Sequence, residues 1–525
     1  MSEARLWTGG RVFTGRRYAE AVLVDQGTVV AVGSDSAVRR SAPTGTEVVP
    51  LAGRLVLPGL IDAHLHLDDL ARSRDGLDLT EVRGLDDLVE RIRDWAAAHP
   101  TGPIVAGGLD FARSLQGRWP RYQELDRAVA DRPVVIYDVS GHAAVVNGFV
   151  LSAVGVGSRS AAELQGRVGT AADGKANGVL YEEALEWVAP LIAVPSDPEG
   201  VVHVLRLLAS FGLTTVASMN SSPEELAVFR SLAAQNRFPI RVRSYLRLLS
   251  IADFRATDLT PVGRPGRFAV VGTKGFTDGA FGPRTAWLSE PYTDAPEGSG
   301  VPVESDEALS SALVTADGLQ LAPALHAIGD RAVERAARLI APYARRAGAP
   351  ARIEHVGLTP PPVLSVLDTV RPTLVVQPGF VWSDSWLHER LGVERARWAY
   401  AFRTLTDRGH LLVGSSDAPY DPPDPWRGLR AATERRDEFG RSANPEPREA
   451  LAFEEAARMY GANAGTALGE PSLGSLEVGS KADLTVLEAR SLGEAIRVGA
   501  KAVQETWVEG VCVFRASGAD RGAIG

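Results

Sequence analysis

The spacing of apolar and polar positions changes character twice along the chain. Through about residue 57, short apolar–polar alternations sit between glycine turns, as in "RLWTGGRVFTG", "AEAVLVDQGTVVAVGS" and "TEVVPLAGRLVLPG". Alternation at period two with such turns predicts a small β unit. The last 50 or so residues return to this habit in "GSLEVGSKADLTVLEA" and "VQETWVEGVCVF". Between them, apolar strands alternate with helical stretches such as "DRAVERAARLIAPYARRAG", the rhythm of a parallel sheet. The strand candidates are "RLVLPGLIDAH", "GLTTVASM", "IRVRSYLRLL", "FAVVGTKGFTD", "LAPALHAIGD", "ARIEHVG", "TLVVQPGF" and "HLLVGSSDAP". These eight are the number that closes a (β/α)8 barrel. An open doubly wound sheet is the alternative, but no glycine-rich dinucleotide fingerprint follows an early strand.

The expected organisation is an α/β protein in three parts. Residues 1–54 and 466–525 form one discontinuous β-sandwich, with two independent β caps as the alternative. Residues 55–67 and 206–465 form a TIM-like (β/α)8 barrel, and residues 68–205 a large insertion after its first strand. The insertion carries strand signals of its own, "GPIVAGGLD" and "RPVVIYDVSGH", and the helix-like "LDDLVERIRDWAAAH". A structureless connection of that length is implausible, so it is expected to fold over the barrel mouth.

Composition narrows the function classes. Of 525 residues, 45% are hydrophobic and 23% charged, ordinary for a soluble globular chain with a large core. The net charge of -9 gives no basic footprint, which argues against a nucleic-acid partner. No apolar run approaches a membrane span, and "MSEARLWTGGRVFTGRR" lacks the apolar core of a signal peptide. The expected location is therefore the cytoplasm. The one cysteine, Cys512, excludes an intramolecular disulfide and a thiolate metal cluster.

Candidate chemistry begins in "GLIDAHLHLDDL", residues 59–70, where an apolar run ends in Asp62, His64 and His66. Buried imidazoles are costly unless each nitrogen finds a partner. Side chains two apart on a strand share a face, so His64 and His66 can hold one cation, or they can sit in a hydrogen-bonded turn. Barrel enzymes act at the C-terminal strand ends. The later ends supply Lys274, His326, His355, Gln377 and Asp417, so four of the nine histidines fall at strand ends. That recurrence favours a metal held by imidazole and carboxylate: zinc, manganese, iron or nickel. Lys274 is the unusual member. A protonated lysine would be repelled by a dication, and burial lowers its pKa. As a neutral amine it can take up carbon dioxide to form a carbamate; a surface or salt-bridged lysine is the alternative.

Taken together, "PGLIDAHLHL", "TKGFTDGAFGPRTA", "HAIGDRAV", "RIEHV", "GSSDAP" and the tail "GSLEVGSKADLTVL" resemble the amidohydrolase superfamily. The closest likeness is to its amidohydrolase family 3 branch, which includes N-substituted formamide deformylases. It extends to "SGHAAVVN" and "GVLYEEA" in the insertion. The resemblance implies that His64 and His66 bind a first divalent metal, and that His326 and His355 bind a second. It further implies that carboxylated Lys274 bridges the two, and that Asp417 touches the first metal and the attacking water. One ion or two remain open, with zinc the expected metal.

The implied activity is hydrolysis of a non-peptide C–N bond in an amide, N-formyl amine or N-acyl amine. Asp417 is the expected general base and then acid. Esterase, lactonase or deaminase chemistry on the same site is the near alternative. A non-catalytic binding or regulatory protein is the more distant one. The expected partner is a small-molecule substrate, with no nucleic acid and no membrane; a homodimer is allowed for. Further candidates for substrate contact are His142, Glu182, Asp278, Arg284, Gln377 and Trp382, the last with Trp386 four residues on. Each has a structural alternative. His142 can be a loop histidine satisfied by backbone, and Glu182 a solvated helix-start acid. Arg284 can pair with Asp278, while Gln377 and the two tryptophans can serve packing alone.

Overall fold

The computed structural model describes residues 4–74, 76–109, 111–115, 118–192, 196–344, 348–436 and 447–516. Eight parallel strands lie in sequence order: β1 (Leu60–Leu65), β2 (Leu213–Ser221), β3 (Arg241–Arg247), β4 (Phe268–Phe276), β5 (Ala322–Ala327), β6 (Arg352–His355), β7 (Thr373–Val376) and β8 (Leu412–Gly414). The β8 end returns to β1: Asp417 N donates to His64 O at 2.8 Å, and His66 N donates to Ala418 O at 2.8 Å. The strands read as apolar runs because both faces are covered. Ile61, Ala217, Tyr245, Val375 and Val413 fill the interior, while helices such as Pro198–Ser210 and Asp330–Ile340 share the outer core.

Outside the barrel, a four-stranded sheet is built from the N-terminal segment alone. A six-stranded sheet joins both ends of the chain, in the order Val511–Arg515, Val503–Val508, Leu484–Leu487, Leu55–Pro58, Arg11–Phe13, Tyr18–Ala19. Trp7, Val22 and Val24 of the first sheet share a core with Val56, Leu484 and Trp507 of the second. The two tryptophan rings meet edge to face at 5.3 Å. Buried Arg241 of β3 ties the barrel to this unit through Asp483 and, at 3.1 Å, Glu509.

Two expected boundaries shift. "RLVLPGLIDAH" is two strands, not one: Leu55–Pro58 pairs with Leu484–Leu487, and the barrel begins at Leu60. Gly59 makes the step, since a side chain there would collide with Thr214. The expected boundary between residues 205 and 206 falls inside helix Pro198–Ser210, which leads into β2 and packs in the barrel's core. The insertion itself contains a six-stranded sheet running from Leu77–Asp78 to Ala176–Tyr181. The part of the expected C-terminal segment beyond Ala516 lies outside the described residues.

Candidate active site

At the β1 end, Asp62 and His64 are fully buried. Asp62 Oδ1 accepts from the backbone N–H groups of His64 and Ser416, both at 3.1 Å, so one carboxylate ties β1 to the loop after β8. Burial pushes the Asp62 carboxyl up to about 6. The loop carries Asp417 in a left-handed backbone conformation, φ 65°, and His355 sits at φ 72° followed by Val356 at 51°. Non-glycine residues seldom adopt such angles, least of all a β-branched one, and such strain gathers at functional sites.

The strained turns bring three groups together. His64, His355 and Asp417 each offer one donor atom, all within 4.8 Å of one another. Asp417 Oδ1 lies 3.1 Å from His64 Nε2 and 3.3 Å from His66 Nε2. It is buried, and neither nitrogen is aligned to donate to it. Burial raises this carboxyl, but the facing His64 and His66 outweigh that and hold it well below the usual carboxylate range.

Each imidazole is fixed from behind. His64 Nδ1 donates to Glu354 Oε2 at 2.6 Å, which leaves Nε2 as the lone-pair nitrogen facing the cluster. Glu354 is held in turn by Arg352, which also donates to Ala63 O at 2.6 Å. Burial raises the Glu354 carboxyl, but Arg352 and His64 override it and bring it to about 2. His355 Nδ1 pairs with Gln377 Oε1 at 2.8 Å, while the Gln377 amide donates to Ser415 Oγ at 3.0 Å, which orients it. Burial pulls the His355 and His326 imidazoliums well below the ordinary range, so both rings are neutral donors of electron pairs.

The other expected ligands surround this trio. Lys274 Nζ lies 3.4 Å from His64 Nε2, almost fully buried, and burial lowers the amine to about 8. The His326 ring is 4.4 Å from that of His355, but its Nε2 is engaged with Gly279 O at 3.0 Å. His326 and His66 thus border the close group without completing it.

Above the cluster lies a cavity of about 770 Å³, its open mouth included. The barrel supplies Phe281, Phe380 and Trp386, and the insertion supplies Phe111, Trp119 and His142. His142 Nδ1 pairs with Glu182 Oε2 at 2.8 Å. Burial lowers this imidazole, but Glu182 beside it produces a net rise above the ordinary value.

Several expected substrate contacts stand elsewhere. Asp278 accepts from the backbone N–H groups of Trp287, Ile328 and Gly329 at 2.8–3.0 Å and braces the loop after β5. Burial lifts its carboxyl to about 7. Arg284 pairs with Asp294 at 2.8 Å, not with Asp278 and not in the cavity. Gln377 stands behind His355, and Glu182 behind His142. Trp382 packs under Arg427 and does not line the cavity, whereas Trp386 does. Arg352 and Glu354 were not among the expected site residues. Their signal was present in "RIEHV", since two charges inside an apolar barrel strand need a partner in the core.

A sequence profile of the amidohydrolase family matches residues 47–514. The putative amidohydrolase YtcJ of Bacillus subtilis (strain 168) is 29% identical, over 98% of this chain and 99% of its own. The N-substituted formamide deformylase of Arthrobacter pascens is 27% identical, over 95% of this chain and 96% of its own. A solved structure of an uncharacterized metal-dependent hydrolase from Pyrococcus horikoshii superposes with TM-score 0.74. It has 28% identity and covers 92% of this chain and 97% of that one.

Proposed function

The chain belongs to the amidohydrolase family and is a metal-dependent amidohydrolase; from that premise we propose that it hydrolyses the C–N bond of a small N-formyl or N-acyl amine. The carrying observation is the buried trio of His64, His355 and Asp417, with facing donor atoms and no hydrogen aligned to Asp417 Oδ1. Donor atoms turned toward one another, with both imidazoles fixed from behind, fit a divalent cation, and zinc suits this ligand chemistry. His66, beside Asp417, completes the proposed set. A second ion would have to use His326 through Nδ1, because its Nε2 is engaged with Gly279 O.

Bound there, a divalent cation supplies acidified water at neutral pH and positive charge for the carbonyl oxygen. The chain's own residues do the rest. Asp417 accepts the proton that water loses as its oxygen adds to the carbonyl carbon, and delivers that proton to the nitrogen as the C–N bond breaks. The products are a carboxylic acid and an amine, and an amine leaves only when protonated. Lys274, with its amine lowered by burial, is the proposed site of carboxylation: its nitrogen adds carbon dioxide, loses a proton and gains two anionic oxygens. The aromatic wall excludes water and receives the nitrogen substituent.

The test is turnover by metal-reconstituted protein across N-formyl and N-acyl amines, with esters and amino-heterocycles alongside. The expected result is preferential release of amine from the amides. Turnover confined to esters or amino-heterocycles would overturn the reading. Intact-mass measurement reads Lys274, as an added carbon dioxide lost on acidification.

A further inference from the structure

The hydrogen bonds that fix the imidazoles of the cluster stop short of His66. His64 Nδ1 has Glu354 Oε2 at 2.6 Å, His355 Nδ1 has Gln377 Oε1 at 2.8 Å, and His326 Nε2 has Gly279 O at 3.0 Å. His66 Nε2 faces Asp417 Oδ1 at 3.3 Å, but its Nδ1 lies 3.9 Å from Asp69 Oδ2, beyond hydrogen-bond reach. A ligand imidazole takes its orientation from the partner of its second nitrogen, so this ring must be held by packing. What packs on it is Tyr420, which also lines the cavity. The two rings meet edge to face, with centroids 5.1 Å apart and planes at 77°. Tyr420 stands three residues beyond Asp417, and its N–H donates to Asp417 O at 3.0 Å, so one turn carries both the acid and the ring. The insertion bears on the same ring. Gly141, at φ 70°, closes a turn with its N–H on Asp138 O at 2.9 Å. A side chain at 141 would fall 2.4 Å from Tyr420 Cε1 and 2.7 Å from Cζ, so only glycine permits this approach. A single side chain therefore separates the insertion's backbone from His66.

Resting on the function proposed above, in which His66 is a ligand, we propose that Tyr420 is the positioning residue for His66 and that the insertion, through Gly141, completes the cation site. The phenol ring stands in for the missing hydrogen bond: it blocks rotation of the imidazole and keeps Nε2 turned toward Asp417. The ring does this by its shape, so the hydroxyl is dispensable. Gly141 fixes the ring in turn, because backbone pressed against an aromatic face leaves it little room to swing. Without the insertion in place, the barrel presents His66 as a loose ligand beside an otherwise braced trio.

The experiment measures zinc affinity by chelator competition in wild type, Tyr420→Phe, Tyr420→Ala and Gly141→Ala, each repeated in a His66→Asn background. Tyr420→Phe keeps the ring edge and is expected to stay within about 2-fold of wild type. Tyr420→Ala and Gly141→Ala are expected to bind zinc about 10-fold more weakly, as changes behind a ligand do. In the His66→Asn background both losses should vanish, because the residues act through that ring. Losses that persist undiminished there, an equal loss in Tyr420→Phe and Tyr420→Ala, or no loss in Tyr420→Ala overturn the proposal. A loss in Tyr420→Ala with none in Gly141→Ala overturns the part given to the insertion. Should Tyr420→Ala not fold, Tyr420→Leu takes its place. If wild type binds no zinc, or His66→Asn binds it as tightly as wild type, the preceding reading fails and the motion of the His66 ring decides this one. Carbon relaxation in protein made with labelled histidine reads that motion. A His66 ring loosened in Tyr420→Ala but not in Tyr420→Phe, with His64 unchanged, upholds the proposal, while equal order in all three proteins overturns it.

Discussion

On the barrel side of the cavity, both imidazoles of the trio have buried partners behind them, and Asp417 is held through its backbone. Glu354 and Arg352 back His64, Gln377 and Ser415 back His355, and the β1 backbone anchors Asp417. On the insertion side, the wall combines the aromatic Phe111 and Trp119 with two polar pairs, His142 on Glu182 and Ser140 on Asp138. The two sides differ in what a substitution leaves behind. Removing a partner on the barrel side strands a buried charge or lone pair, whereas trimming the aromatic wall changes shape and apolar area. Reactivity is thus concentrated where replacement is least tolerated, and selectivity where it is easiest.

The strongest way to sharpen that contrast is Asp417→Asn. It should keep metal yet lose about 10²- to 10⁴-fold in kcat, as removal of a general acid–base does; elemental analysis beside steady-state kinetics checks both halves. Undiminished turnover would break the assignment. Next, Glu354→Gln should weaken metal affinity by about 10- to 100-fold, measured by chelator competition. It should also destabilise the fold by about 3–5 kcal/mol, because Arg352 is left buried without its counter-charge.

The same pair gives a pH signature. Glu354 is held at about 2 against an ordinary 4.5, so its depressed folded-state value means the stabilisation is present above 4.5 and lost as pH falls toward 2. Acid unfolding of the wild type should steepen in that window, and Glu354→Gln should flatten it. On the insertion wall, Trp119→Ala should raise KM for bulky substrates by about 10-fold with a smaller change in kcat, since it removes binding area and leaves the trio intact. Equal losses in both constants would erase the division between the two sides. Smallest of all is Arg284→Ala. Its pairing with Asp294 is partly exposed, worth about 0–1 kcal/mol, so turnover should hold within about 2-fold.

The legibility of the sequence follows the same division. Strand order and the gathering of side chains at the strand ends could be read because a histidine or aspartate ending a buried apolar run must find a partner, and a strand end offers few. His64, His355 and Asp417 fell to that reasoning. Arg352 and Glu354 were equally visible as charges inside a strand, but their meaning depends on which strand lies opposite. Arg284 and Asp278 were expected to contact substrate, with a mutual pair as the alternative, but the loop turns Arg284 toward Asp294 and gives Asp278 three backbone donors. The split at Gly59 was hidden because a strand feeding a sandwich and a strand feeding a barrel are both apolar. Only pairing with residues from the far end of the chain separates them.

That pairing also constrains how the protein is made. Strand Leu55–Pro58 has Leu484–Leu487 as one of its two neighbours. During synthesis, its side of the sheet stays open until Leu484–Leu487 has emerged. An unpaired edge invites misassociation, and long-range closure of this kind slows folding. A strand from the far end of the described residues thus completes a sheet begun near the other, one residue upstream of the segment that carries His64.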